Sequence, residues 1–151
     1  MAGTKGETVM HKILFATALV ALATPAIASD QSDIAAVVKA YNTDFAASYC
    51  APGAAIIDEF APHAWNGATA CADWLKSFDA DSKARGITEA IVTIGKPDVL
   101  KVEGDRGYAV YPAHYDFKMK GKPVHETGIW TFAFQKLSGS WKIAGWTWSQ
   151  H

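Results

Sequence analysis

The sequence lacks the features that mark most metal, nucleotide and nucleic-acid sites. It contains only two cysteines in 151 residues, and its formal net charge is −1. Its histidines form no H-x-x-x-H pattern, and there is no C-x-x-C pair, glycine-rich phosphate loop or G-x-S-x-G nucleophile motif. A nearly neutral balance of charges also gives no basic surface for nucleic acid. We therefore expect no metal, no cofactor and no nucleic-acid partner.

One apolar run stands out, and it lies near the N-terminus. Ile13–Ala23 follows the basic residue Lys12 and is too short to cross a bilayer comfortably. Thr24-Pro25 ends the run, and Ala26-Ile27-Ala28 fits the small-x-small pattern that precedes a signal-peptidase cut. We predict that residues 1–28 are a signal peptide cleaved after the last of these alanines. The alternative is a membrane anchor that stays uncut.

Export would leave residues 29–151 as a periplasmic or secreted domain with no membrane contact. Residues 1–9 precede a second methionine, so the natural start of the chain is open. An oxidising compartment favours a disulfide between the only two cysteines, Cys50 and Cys71. These cysteines fall at the end of one predicted helix and in the first turn of the next. The alternative is two separate buried thiols.

The C-terminal third is the most aromatic part of the chain. Gly128–Ser149 holds four of the six tryptophans, and its two arms flank a Ser138-Gly139-Ser140 break. Aromatic and β-branched residues on either side of a Gly/Ser turn predict two antiparallel strands. Because both arms are apolar on more than one face, we expect a central strand in a bent sheet that helices cover.

Two amphipathic segments supply these helices. Ser32 and Asp33 suit the cap of a helix that starts at Ile34 and ends at Ala51-Pro52-Gly53. Its predicted inner face contains Ile34, Val37, Val38, Tyr41, Phe45 and Ser48. A second helix is predicted over Ala68 to Arg85, and its buried stripe is Cys71, Trp74, Leu75 and Phe78. Gly86 would end it, and two short strands or an irregular hairpin would occupy 54–67.

From Ile87 onward the pattern is that of strands. The predicted strands are Thr88–Ile94, Asp98–Val102, Tyr108–Met119, Lys122–Phe134 and Trp141–Gln150. A two-residue turn at Lys120-Gly121 places Tyr115 opposite Glu126 and Asp116 opposite His125. Helices followed by a meander of long antiparallel strands indicate a single α+β domain.

These elements resemble the nuclear transport factor 2-like superfamily, in particular its SnoaL-like branch. The resemblance covers essentially all of residues 29–151. It rests on Ile56–Gly67, the helix Ala68–Phe78, and the aromatic segments Gly128–Phe132, Gly139–Ile143 and Trp146–Ser149. It implies a cone in which a curved antiparallel sheet wraps around N-terminal helices and leaves a pocket. The superfamily includes isomerases, cyclases, dehydratases and transport factors, and homodimers are common, so the resemblance implies a fold rather than one activity.

Glu126 is the first candidate for acid–base chemistry in such a pocket. Strand alternation places it on the same face as Tyr111, Tyr115 and Trp130, where it is the only carboxylate. Burial among aromatic side chains raises the pKa of a carboxyl group, which can then act as a general acid or base. The alternative is that Glu126 lies in water near the hairpin turn and has no role.

Asp58 and His63 form the second candidate pair, at the expected mouth of the cone. A histidine beside a carboxylate could transfer protons near neutral pH. The alternative is a solvated loop in which Asp58 turns the backbone. The predicted lining of the pocket is Tyr41, Trp65, Tyr111, Tyr115 and Trp130, although Tyr41 also suits a core position with its hydroxyl satisfied.

Three functions remain in view. The leading hypothesis is a pocket for a small, largely apolar molecule, and the second is a cofactor-independent isomerase, dehydratase or cyclase. The third is a protein-binding or dimerising module that uses the outer sheet face, where Val110, His114, His125, Thr127 and Ile129 alternate. A polar, solvent-connected cavity would favour the first two hypotheses, and a filled core with an exposed apolar outer face would favour the third.

Overall fold

The structure, a computed structural model, describes residues 24–151, with side chains from residue 27 onward. Its helices are α1 (Thr24–Asp44), a short 3-10 helix (Ala47–Tyr49) and α2 (Ala70–Arg85). Its strands are β1 (Cys50–Ile57), β2 (Ala64–Asn66), β3 (Ile87–Ile94), β4 (Val99–Glu103), β5 (Arg106–Met119), β6 (Lys122–Leu137) and β7 (Ser140–Gln150). The expected α+β fold is confirmed. The predicted signal peptide lies outside the described residues, apart from Thr24–Ala28.

The seven described strands form one curled sheet in the order β2-β1-β7-β6-β5-β3, and β4 also pairs with β5. Neighbouring strands are antiparallel except β1 and β7, which run parallel, with Ile56 beside Trp146. Parallel neighbours need a long crossover, and α2 with the β3–β6 meander provides it. The sheet is therefore mixed, whereas the sequence predicted only antiparallel pairs.

The β5–β6 hairpin has the predicted register. Tyr115 pairs with Glu126 and Asp116 with His125, around the turn at Lys120-Gly121. Alternate residues of β6 point into the core, including Trp130, Phe132 and Phe134, which are at most 3% exposed. This alternation fixes Glu126 on the face that packs toward the helices.

The first helix extends further toward the N-terminus than predicted. It is already formed at Thr24, so Ser32 and Asp33 lie inside it and do not cap it. The Ser32 hydroxyl donates to the carbonyl oxygen of Ser29 at 2.7 Å, a bond that lets serine occupy a helix interior. None of the helices in the described part of the chain is long and apolar enough to span a membrane.

The C-terminal end of α1 also differs from the prediction. The helix stops at Asp44 because Phe45 adopts a positive φ of 52°. The Asp44 carboxylate then accepts a hydrogen bond from the backbone N–H of Ala46 at 3.0 Å. Ala51-Pro52-Gly53, expected to end the helix, belongs to β1. This early stop turns the Phe45 ring toward α2, where it packs 5.4 Å from Trp74.

The core lies between the helices and the inner face of the sheet. Ile34, Val38 and Tyr41 of α1 are fully buried, and the predicted inner face is confirmed for these three. Trp146 donates its indole N–H to the Tyr41 hydroxyl at 3.0 Å, which joins α1 to β7 inside the core. α2 begins at Ala70, slightly later than predicted, and ends as predicted at Gly86, which has left-handed backbone angles.

The predicted disulfide between Cys50 and Cys71 is confirmed. Their Cα atoms are 6.5 Å apart, within the usual range for a disulfide. Cys71 lies in the first turn of α2 as expected, but Cys50 is the first residue of β1 and not the end of a helix. The bond therefore connects α2 directly to the sheet.

Candidate ligand-binding site

A cleft that is open to solvent lies between α2 and the inner face of the sheet. Eight aromatic residues line it: Phe45, Phe60, Trp74, Phe78, Tyr115, Trp130, Trp146 and Trp148. Its charged lining residues are Asp58, Glu59, Asp81, Arg85 and Glu126. The site thus combines an aromatic wall with several acidic groups.

Helix α2 contributes one continuous stripe to the cavity. Trp74, Phe78, Asp81 and Arg85 recur every three or four residues, so they lie on one face of the helix. Trp74 and Phe78 lie deeper in the cavity than the two charged residues. Arg85, at the end of the helix, contacts Asp81 at 3.4 Å. The helix therefore changes from aromatic to charged as it reaches the solvent.

The end of β1 brings two acidic residues to the opposite wall. Asp58 follows the strand directly, and its carboxylate accepts hydrogen bonds from the Trp74 indole N–H and the Glu59 backbone N–H, both at 2.8 Å. Burial raises the pKa of Asp58, although these two hydrogen bonds oppose the rise. The Trp74 bond also couples the position of Asp58 to α2.

Glu126 supplies the third acidic group, from β6. Glu126 is half-buried beside the cavity, and this burial raises the pKa of its carboxyl group. The negative charge of Asp58 raises this pKa further, whereas the positive charge of Arg85 lowers it. Burial and then the negative charge of Glu126 raise the pKa of Glu59. The acidic groups therefore influence one another across the cavity.

Two polar groups of the lining have no hydrogen-bond partner among the described residues. They are the hydroxyl of Tyr115 and the indole N–H of Trp130, and both atoms are buried. Burial, with the nearby carboxylates as a lesser cause, raises the pKa of Tyr115 to about 12, so the hydroxyl stays neutral and can donate. Buried polar groups are nearly always satisfied in proteins, and a bound molecule could satisfy these.

The cavity brings together four of the residues that the sequence singled out: Asp58, Tyr115, Glu126 and Trp130. His63 is not among the lining residues. Its ring is exposed, and its Nδ1 lies 3.3 Å from the backbone oxygen of Asp58 and not from the carboxylate. The geometry therefore does not place His63 in an acid–base pair with Asp58.

The other three expected lining residues lie in the core. Tyr41 is fully buried beneath Trp146. Trp65 is buried and donates its indole N–H to the Ser77 hydroxyl of α2 at 3.1 Å. Tyr111 packs edge-on against Phe132, deeper in the cone than Tyr115. The sequence pattern predicted that these three residues point toward the inside of the fold, but not that they lie in the core, away from the cavity.

Several lining residues were not predicted, and two signals could have found them. Continuing the α2 stripe beyond Phe78 by three and seven residues reaches Asp81 and Arg85. Trp148 pairs with Trp130 across β6 and β7, on the same face. For Glu59, which is mostly exposed, no pattern in the sequence indicates a place at the cavity.

The outer sheet face carries a shallow apolar groove. Ile57 is 58% exposed and Tyr108 is 44% exposed, with Ala55, Ala133 and Gly145 between them. Elsewhere on this face the predicted Asp116–His125 pair forms, with Nδ1 2.5 Å from Oδ1. Within residues 27–151, no group of three or more His, Cys, Asp or Glu side chains is placed to hold a metal ion.

Comparison with solved structures defines the fold class. A hexachlorocyclohexane dehydrochlorinase from Novosphingobium barchaimii superposes with a TM-score of 0.69 at 13% identity, covering 82% of this chain and 88% of that one. An NTF2-like protein from Novosphingobium aromaticivorans gives 0.66 at 14% identity, with 82% of each chain covered. An NTF2-like superfamily protein from Salmonella enterica gives 0.66 at 15% identity, covering 82% and 92%. The chain therefore has the nuclear transport factor 2-like fold.

The family is narrower than the fold class. Residues 30–151 match the SnoaL-like domain family, which accounts for most of the chain. The protein belongs to this SnoaL-like family. No curated protein matches the sequence.

Proposed function

We propose that the cavity binds a small organic molecule with a largely apolar body. The observation that carries the proposal is the lining itself: eight of its residues are aromatic, and two of these, Tyr115 and Trp130, each have a polar group with no partner among the described residues. Apolar walls with a few convergent polar groups are typical of small-molecule sites. The aromatic surface would supply most of the affinity, and the two polar atoms would orient the ligand.

The direct test is binding of a neutral fluorescent probe, N-phenyl-1-naphthylamine. We expect saturable binding with one site per chain. Trp148→Ala should weaken it roughly tenfold because it removes an aromatic wall, whereas Ile57→Ser, on the outer face, should leave it unchanged. Binding that does not saturate, or that both variants affect equally, would contradict the proposal.

A second candidate function is cofactor-independent acid–base catalysis at the same cavity. It is favoured by three groups with raised pKa values, Asp58, Glu126 and Tyr115, in one aromatic site. The dehydrochlorinase among the structural neighbours is an enzyme for a small halocarbon on this fold. Glu126, opposite Tyr115 on the adjacent strand, would be the proton acceptor or donor.

Glu126→Gln distinguishes this role from a structural one. Because the folded protein favours the protonated form of Glu126, the wild type should lose stability as pH rises above 4.5 toward the raised pKa of this group. The variant should lack this loss, so at pH 7 its melting temperature should equal or slightly exceed that of the wild type. A clear fall in melting temperature would mean that the carboxylate is structural. Thermal melts across pH 4–8 provide the measurement.

We also propose that the chain is exported and cleaved after Ala28. Cleavage would keep Asp30, which accepts hydrogen bonds from Lys136 at 2.5 Å and Trp141 at 3.0 Å and so attaches the start of α1 to the β6–β7 hairpin. The disulfide fits an oxidising compartment. Intact mass of the exported protein should correspond to a chain that starts at Ser29, and a full-length chain in the membrane fraction would rule this out.

Self-association is a third proposal, based on the outer groove. Exposed Ile57 and Tyr108 form an apolar strip that a second copy could cover. Light scattering should give the mass of a dimer that Ile57→Arg reduces to that of a monomer. A monomer mass for the wild type at every concentration would argue against a dimer.

A further inference from the structure

The charges around the cavity do not balance. Arg85 is the only basic side chain of the lining, and it forms an ion pair with Asp81 at 3.4 Å. Asp58, Glu59 and Glu126 take part in none of the ion pairs formed by the described side chains. These three carboxyl groups and Asp81 therefore share one basic side chain, Arg85, whose charge also lowers the pKa values of Glu59 and Glu126.

The same cavity is walled by aromatic rings at steep angles to one another. Trp146 is nearly perpendicular to Trp130 and to Trp74, with ring centroids 5.6 Å and 4.8 Å apart. Trp148 meets Trp130 at 75°, at 6.3 Å. The cavity is therefore lined by indole rings of different orientations. The faces of indole rings carry negative electrostatic potential and attract organic cations, which are commonly bound in aromatic cages.

We infer that the ligand of this cavity is an organic cation, an amine or a quaternary ammonium group attached to an apolar body. The inference rests on the proposed binding function and specifies its ligand class. A cation would offset part of the negative charge of the three unpaired carboxyl groups and would contact the faces of the tryptophan rings. An anionic ligand would be repelled by the same groups, and a neutral ligand would leave them unpaired.

The affinity for a cation should then depend on pH. The titratable and charged groups that face the cavity are Asp58 and Glu59 after β1, Asp81 and Arg85 of α2, Tyr115 of β5 and Glu126 of β6. Burial and mutual repulsion raise the pKa values of the three unpaired carboxyl groups. A bound cation favours their ionised forms, so its affinity should rise with pH through the range in which they ionise.

A matched pair of probes tests the ligand charge. Phenyltrimethylammonium and tert-butylbenzene have nearly the same shape and differ by one positive charge. Each would compete with N-phenyl-1-naphthylamine at pH 7. We expect the ammonium ion to bind roughly 10- to 30-fold more tightly, because both the carboxylates and the aromatic faces attract it, and to lose the part of this advantage that comes from the carboxylates as pH falls to 4.

The outcomes separate the two proposals. If tert-butylbenzene displaces the fluorescent probe as well as or better than the ammonium ion, the inference is wrong while the binding function stands. If the ammonium ion does not displace the probe, the inference is also wrong. If the fluorescent probe itself does not bind, both proposals fail.

Charge-neutral variants locate the source of the preference. Glu126→Gln and Glu59→Gln should each reduce the ratio of the two affinities several-fold, because each removes one carboxylate and keeps the side-chain shape. Glu103→Gln, at an exposed position at the end of β4, is the matched control and should leave the ratio unchanged. An equal reduction in all three variants would show that the preference comes from the overall charge of the protein, and it would overturn the inference.

Discussion

Reduction of the Cys50–Cys71 disulfide is expected to lower the free energy of unfolding by about 3 kcal/mol and the melting temperature by about 10 °C. The bond closes a loop with a sequence separation of 21, and in the chain-entropy model breaking it releases that much conformational freedom in the unfolded chain. Because the bond joins the first turn of α2 to β1, ligand binding should weaken together with stability. The helix carries Trp74, Phe78 and Arg85 of the cavity.

The reduction experiment has an internal control. Dithiothreitol should lower the melting temperature of the wild type but not that of the double variant Cys50→Ala/Cys71→Ala, which has no bond to reduce. The double variant should melt near the reduced wild type, with a further small loss because Cys71 is 3% exposed and its sulfur is packed. Titration of two free thiols in the unfolded, unreduced wild type would contradict the assignment.

Much of the fold was predictable because its signals are local. The two-residue turn at Lys120-Gly121 fixes the register of β5 and β6, and strand alternation then assigns Glu126 and Trp130 to the inner face. The stripe of α2 follows from helical periodicity in the same way, and Gly86 ends the helix because glycine readily adopts the left-handed conformation. Each of these predictions depends on residues that are close in sequence.

The site was less predictable because it depends on distant contacts. The positive φ of Phe45 ends α1 early, and the sequence at that point contains no glycine or proline to indicate it. The parallel pairing of β1 with β7 joins strands separated by most of the domain. Asp58 was expected at the mouth of the cone, but Glu59 beside it was not, because the position of this acidic pair in the cavity depends on the β1–β7 pairing and not on alternation or spacing.

The second large loss of stability that we expect is that of Gly145→Ala, because this residue lies where β1 pairs with β7. Gly145 lies opposite Ala55, and a Cβ at position 145 would stand 2.5 Å from the Ala55 carbonyl oxygen. That oxygen belongs to the backbone, so the clash can be relieved only if the strands move apart. We expect a loss of roughly 3 kcal/mol, at the upper end of the usual range for overpacking. Chemical denaturation of the purified variant would measure it.

Gly104→Ala is the matched control, because it makes the same change in the unfolded chain. An added Cβ at Gly104 meets nothing within 4 Å, so its cost should be only the roughly 1–2 kcal/mol of a left-handed alanine. The two variants should also differ at the cavity. Displacement of β1 would carry Asp58 and Glu59 away from the aromatic wall, so Gly145→Ala should weaken probe binding and Gly104→Ala should not. Equal stability of the two variants would mean that the clash at position 145 costs no more than a left-handed alanine. Equal probe binding would mean that the positions of Asp58 and Glu59 do not depend on this strand pair.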